Sequence, residues 1–365
     1  MIRFLQKLRR HGAAAPRADA RPRGDVRALA ALAAIGALAI GVAACGGSND
    51  EASGSSGDGS GGTLDLVAYS TPQTAYEESI EPGFTETDAG ADVAFKNSFG
   101  ASGDQSRAVE AGLPADVVHL PLEPDMTRLV EAGLIAEDYK DTQYDGGTQN
   151  SVVVFVTRPG NPEGIDSWDD LVTGDVEVIT PNPFTSGGAR WNLMAAYGSQ
   201  IAQGKSEDEA LDFIAQVLEN TPVQDASARD ALQTFIGGKG DVLLSYENEA
   251  IGAIDAGEDL EYTIPDETIL IETQAAVTTE ADDPEAAQAF LDFQISDEGQ
   301  RLWAENGYRP VNEEILAEYK DEFPDPKELF TIEEFGGWEK VATEFFDPAE
   351  GSVAEIERNL GVATE

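Results

Sequence analysis

The sequence predicts an α/β protein of two domains, with mainly parallel sheets covered by helices on both faces. Three observations predict it. Short apolar, β-branched runs alternate with amphipathic helical patterns from Leu64 to Asn306. About 300 residues follow a polar tether, enough for two domains with full cores. Loops punctuated by glycine and proline join strand ends to helix starts, and no repeat with a period of roughly 20 to 50 residues is visible.

Residues 64–69 alternate loosely and read as the first strand. Residues 71–86 have a helical pattern with Pro72 near the start; Pro82, which lacks an amide donor, is expected to end it early. Residues 91–97 form a second strand. Ser102 is expected to cap a helix running to Ala111, with Asp104 facing the positive end of its dipole. Residues 117–120 are a short apolar strand and 126–132 a helix. The β-branched run 152–158 is a buried strand stopped by Pro159. Residues 168–171 and 191–197 are helical, and the helix 207–220 places Leu211, Ile214, Ala215 and Leu218 on one face. The helix 229–236 ends at Gly237-Gly238, and 242–245 is a strand. Residues 269–278 alternate and are expected to cross back between domains; 284–294 and 298–306 are helices.

The N-terminus reads as a targeting segment. Eight basic residues from Arg3 to Arg27 precede an uncharged Ala/Leu/Ile/Gly stretch, residues 28–44, that ends in Val42-Ala43-Ala44-Cys45. That is the pattern of a signal peptide with a lipobox, too rich in alanine and glycine to be a lasting membrane span. Cys45 is the only cysteine, so no intrachain disulfide exists and its expected fate is lipidation. A diacylglycerol there supplies the two acyl chains that stable anchoring needs. Residues 46–62 are almost wholly Gly, Ser, Asp, Asn and Glu, a flexible tether. The full chain carries net charge −46; beyond Ala44 it holds 15 basic and 67 acidic residues, net −52. That excludes nucleic acid and anionic lipid as partners of the folded surface.

The chemistry concentrates in Ile179-Thr180-Pro181-Asn182-Pro183-Phe184-Thr185-Ser186-Gly187-Gly188-Ala189-Arg190-Trp191-Asn192. An apolar strand enters a proline-rich loop that ends in Ser-Gly-Gly at a helix start. Free amides, the positive helix end and a hydroxyl make an anion site there. The glycines permit positive φ and close approach. The alternative is a plain strand–helix connection that uses its glycines only for turning. Arg190 sits in a first helical turn, where the dipole disfavours a cation. It is therefore read as a brace paired with a carboxylate, Asp116 being the candidate.

This run resembles the signature of the periplasmic sulfate- and thiosulfate-binding proteins, the solute receptors of ABC transporters. Further stretches match in the same order: Ala115-Asp116-Val117-Val118, residues 155–162, residues 240–250, Tyr308-Arg309-Pro310, Phe330-Thr331-Ile332 and Phe335-Gly336-Gly337-Trp338. The resemblance spans roughly residues 64–346. It implies a type II periplasmic-binding-protein fold with a ligand cleft between domains. One domain would be 63–150 with roughly 259–312, the other 151–258 with roughly 313–360, after a signal peptide at 1–44 and a lipidated tether at 45–62. It implies a monomer without cofactor that binds sulfate or thiosulfate, partnered by a membrane-embedded permease. Carried over position by position, the ligand-binding residues are Ser70, Ser102, Ser186, Gly187, Gly188, Ala228 and Tyr246. Tyr246 stands where relatives have a tryptophan donor; its hydroxyl can donate, from a different height.

Sulfate at neutral pH only accepts hydrogen bonds, whereas phosphate keeps a proton and wants an acceptor. Asp104, close after Ser102, is the one residue of the loop that would select phosphate by turning inward. The other readings are a receptor for phosphate or another tetrahedral oxyanion, an oxyanion-ester hydrolase, and a scaffolding lipoprotein. No H-x-H, H-E-x-x-H or G-x-S-x-G motif supports hydrolysis, and His119, alone at a strand end, reads as structural.

Overall fold

The structure, a computed structural model, describes residues 62–364; the basic leader, Cys45 and nearly all of the tether lie outside them. The strands are β1 (Thr63–Tyr69), β2 (Ala94–Gly100), β3 (Val117–Leu120), β4 (Gly147–Thr157), β5 (Val178–Ile179), β6 (Val242–Tyr246), β7 (Glu261–Thr263), β8 (Glu267–Val277) and β9 (Glu328–Phe330). They run in the order β2-β1-β3-β8-β4-β6-β5, with β7 added on β4 and β9 on β8.

The outer pairs β1–β2, β1–β3 and β5–β6 are parallel, as is β8–β9. The pairs β3–β8, β4–β8, β4–β6 and β4–β7 are antiparallel. The sheet is therefore mixed rather than mainly parallel. The cause is the two eleven-residue strands β4 and β8, which run against each other and link the parallel ends. β4 pairs β8 at Ser151 and Val152, then continues along β6 from Val153; β8 continues along β3 from Gln274. A register shift interrupts the β4–β8 ladder between Gly147 and Asn150.

Hydrophobic clusters fall to either side of these strands. One side packs Leu66, Tyr76, Phe84, Phe290 and Trp303, with Val67, Val118 and Leu129 behind. The other packs Phe155, Trp168, Trp191, Ile214 and Trp338, with Val154, Phe235 and Leu243 opposite.

Pro82 does not end its helix. Helical structure runs Gln73–Ala75, Tyr76–Ile80 and Glu81–Thr85, with a π-helical turn in the middle segment. There the Glu81 amide reaches back to the Tyr76 carbonyl. The wider turn makes room for the proline ring, and burial of Tyr76, Ile80 and Phe84 holds the segment together. β2 begins at Ala94, three residues later than expected. The helix expected over 191–197 is Gly187–Ala202, beginning directly at the Ser-Gly-Gly turn.

Candidate functional site

Several loops end at one point. β1, β2 and β6 present their carboxyl ends there: Ser70-Thr71 follows β1, Ala101-Ser102 follows β2, and Tyr246 is the last residue of β6. The Gly187–Ala202 and Ala228–Ile236 helices present their first residues, Gly187 and Ala228, to the same point. Ser70, Ser102, Ser186, Gly187, Gly188, Ala228 and Tyr246 all line a single cavity of about 10 Å³, room for little more than one water-sized sphere. All seven residues named from the sequence are thus brought together. Tyr69, Thr71, Ala101 and Pro121 complete the lining and were not anticipated. The position of Thr71, directly after Ser70 at the end of β1, was the available signal.

The donors are built locally. First-turn amides of a helix have no carbonyl one turn back, so those of Gly188 and Ala228 are free to serve a ligand. Ser227 caps the Ala228–Ile236 helix by accepting from the Asp230 amide, which fixes that helix start. Ser102 differs from expectation: it is the first helical residue rather than the cap, and makes no capping bond. Its hydroxyl accepts the Gly187 amide at 2.9 Å, across the cleft, leaving its own proton free to point into the cavity. Neither Gly187 nor Gly188 has positive φ. At Gly187 the glycine is required by space instead, whereas a Cβ on Gly188 would meet its neighbours no closer than 3.4 Å. A Cβ on Gly187 would lie 2.6 Å from Ser102 Oγ and 2.8 Å from Leu122 Cγ.

Tyr246 is the most informative member. It is 1 % exposed, and its hydroxyl has no hydrogen-bond partner among the described residues. Burial pushes its pKa well up, so it is a neutral O–H donor. Among the described residues, no carboxylate lines the cavity. Asp104 turns outward to Arg107, at 2.6 Å on the surface. Arg229, next to Ala228, donates to the Thr71 carbonyl at 3.0 Å and faces buried Glu249 at 3.6 Å. Burial raises Glu249 to about 7, with Arg229 pulling the other way.

Arg190 braces its loop as expected, but through the Pro183 carbonyl at 2.7 Å and the face of Phe346. Asp116 is not its partner, because that carboxylate accepts the amides of Asp65 and Asp282, each at 2.7 Å. His119 is enclosed by Tyr76, Thr273 and Gln149, and burial pushes it down to about 3, so it stays neutral.

Residues 64–309 match the family model described as bacterial extracellular solute-binding protein. A sulfate-binding protein of Synechocystis is 42% identical, over 78% of this chain and 83% of the relative. A thiosulfate-binding protein of Pseudomonas aeruginosa is 34% identical, over 77% of this chain and 88% of the relative. The solved sulfate-binding protein SubI of Mycobacterium tuberculosis superposes with a TM-score of 0.76 at 41% identity, covering 78% of this chain and 99% of that one.

Proposed function

The chain belongs to the bacterial extracellular solute-binding proteins, in their sulfate- and thiosulfate-binding family, and from that premise we propose that it captures sulfate or thiosulfate outside the cytoplasmic membrane and delivers it to an ABC permease. The observation that carries the ligand assignment is the buried, unpartnered Tyr246 hydroxyl in a cavity whose polar groups are N–H and O–H donors. Leaving a buried polar group unmatched costs about 1–3 kcal/mol, so a ligand that only accepts is favoured. Sulfate fits that rule; protonated phosphate brings a donor, and among the described residues no carboxylate lines the cavity to receive it.

In this reading Ser70 and Ser102 serve the anion from the domain 63–150 with roughly 259–312. Ser186, Gly187, Gly188, Ala228 and Tyr246 serve it from 151–258 with roughly 313–360. The protein is a non-catalytic, monomeric receptor, and Cys45 carries the lipid that holds it at the membrane.

Calorimetric titration of the protein with sulfate, thiosulfate, phosphate and molybdate tests the assignment. Sulfate or thiosulfate should bind at least tenfold more tightly than phosphate at neutral pH. Equal binding of phosphate defeats the donor-only argument. Cys45→Ala tests the anchor: the variant should be released or remain unprocessed, and wild-type fractionation would count against lipidation.

A further inference from the structure

Beside the cleft lies a second groove of about 360 Å³. Three of the eight arginines that follow Cys45 line it: Arg107, Arg128 and Arg190. Gathering like charges is costly, and in this stretch acidic residues outnumber basic ones 67 to 15. Two of the three are paired on their own helices, Arg107 with Asp104 at 2.6 Å and Arg128 with Asp125 at 3.0 Å. Arg128 also faces Glu110 at 3.8 Å. Asp347, the one carboxylate among the described residues that line the groove, is engaged by the amides of Ala349 and Glu350, each at 2.9 Å.

Arg190 is different. It is half-buried, its Nε is spent on the Pro183 carbonyl, and among the described residues no carboxylate lies within ion-pair distance of it. Burial lowers its pKa, Asp125 partly offsets this, and Arg128 and Arg107 lower it further. Its terminal nitrogens are left to the groove, two donors in a planar fork that suits an oxyanion. The groove also touches both rims of the cleft. Arg190 holds Pro183, two residues before Thr185, whose carbonyl accepts the Gly103 amide from the opposite rim. Arg107 reaches to 3.2 Å from where a Cβ on Gly103 would stand.

We propose that Arg107, Arg128 and Arg190 form a second, open oxyanion site that receives the dianion at the rim of the cleft before it enters the cavity. The proposal rests on the receptor reading above and explains how an anion reaches its cavity through a strongly negative surface. The cavity holds the ion by fixed donors; the groove offers three guanidinium groups in one opening, of which Arg190 has no carboxylate partner among the described residues.

Selenate serves as the probe, with the full-length protein. Crystals soaked in selenate should show anomalous peaks in both cavity and groove, and Arg107→Gln combined with Arg128→Gln should remove only the groove peak. By stopped-flow tryptophan fluorescence, that double variant should bind sulfate roughly three- to tenfold more slowly at low ionic strength. The difference should shrink near ~1 M NaCl, where the screening length falls to about 3 Å, and dissociation should not change. The charge-preserving pair Arg107→Lys and Arg128→Lys should associate nearly as fast as wild type. A cavity peak without a groove peak overturns the proposal and leaves the receptor reading standing. A groove peak with an unchanged association rate also overturns it, as an adventitious ion only. Selenate in neither place defeats both.

Discussion

Tyr246 decides more than any other residue, because it is buried with its hydroxyl unmatched. Tyr246→Phe removes that group at almost constant volume. Two opposite effects should follow. The ligand-free protein should melt at the same or a slightly higher temperature, since an unsatisfied buried polar atom is gone. Sulfate affinity should fall roughly tenfold to a hundredfold, the loss of one charge-assisted hydrogen bond of about 1.5–3 kcal/mol. Thermal melts with and without sulfate, together with calorimetry, separate the two; unchanged affinity would make Tyr246 an ordinary core aromatic. At this scale the residues suggested an anion site at Ser-Gly-Gly but left a plain turn open, and the family resemblance, not local pattern, singled out Ser70 and Ala228. Side-chain partners were not legible. Asp116 is 74 residues from Arg190 in sequence, and only the topology shows that amides of Asp65 and Asp282 already occupy it.

At the level of elements, the start of the Gly187–Ala202 helix is fitted against the loop at Ser102 with no room for a methyl group. Gly187→Ala should therefore hold the two loops apart. We expect at least a tenfold loss of sulfate affinity with far-UV circular dichroism unchanged; wild-type affinity would mean that Ser102 and Leu122 yield easily. The helical segment through Pro82 carries a second test. Glu81 is raised to about 7, first by burial and then by Glu77, against the hydrogen bond from Asn97. Its folded pKa exceeds its ordinary value, so the folded state binds the proton more tightly. Stability should then fall as pH rises from about 4.5 to about 7 and level off above. Glu81→Gln should flatten that decline in denaturant titrations across the same pH range. Most strands and helices as far as Asn306 were readable from periodicity, but the helix Glu247–Asp255, β7, β9 and the helices Glu313–Glu318, Gly337–Phe346 and Ser352–Leu360 were not. The π-turn before Pro82 and the antiparallel crossing of β4 and β8 were not, because both depend on packing partners far away in sequence.

For the whole molecule, several hydrogen bonds join the segment before β4 to the segment after it around the cavity. Among them are Gly187 to Ser102 at 2.9 Å, Gly103 to Thr185 at 3.3 Å, Trp191 to the Pro121 carbonyl at 2.7 Å, and Arg229 to the Ser70 and Thr71 carbonyls at 3.3 and 3.0 Å. This is a shut arrangement. Without an anion it encloses unmatched hydroxyls at Tyr246 and Thr71, and it brings together surfaces of one charge sign. Net repulsion of this size is screened within about 10 Å at 0.1 M salt, so the midpoint of thermal unfolding should rise with added NaCl. Sulfate affinity should change far less, because the cavity is enclosed and its donors are fixed dipoles. The same balance predicts movement on binding. β4 and β8 are the continuous connections between the two sets of hydrophobic clusters, and their ladder already breaks register between Gly147 and Asn150. The interrupted ladder is the natural place for a bend. Ligand-free protein should therefore open about these strands, and an anion should close it by satisfying donors from both sides at once. Small-angle scattering should give a smaller radius of gyration with saturating sulfate than without. The decrease should be lost in Tyr246→Phe at sulfate concentrations that saturate the wild type. An identical profile with and without ligand in the wild type would mean that the shut form is the resting state and that the anion enters by local loop motion alone.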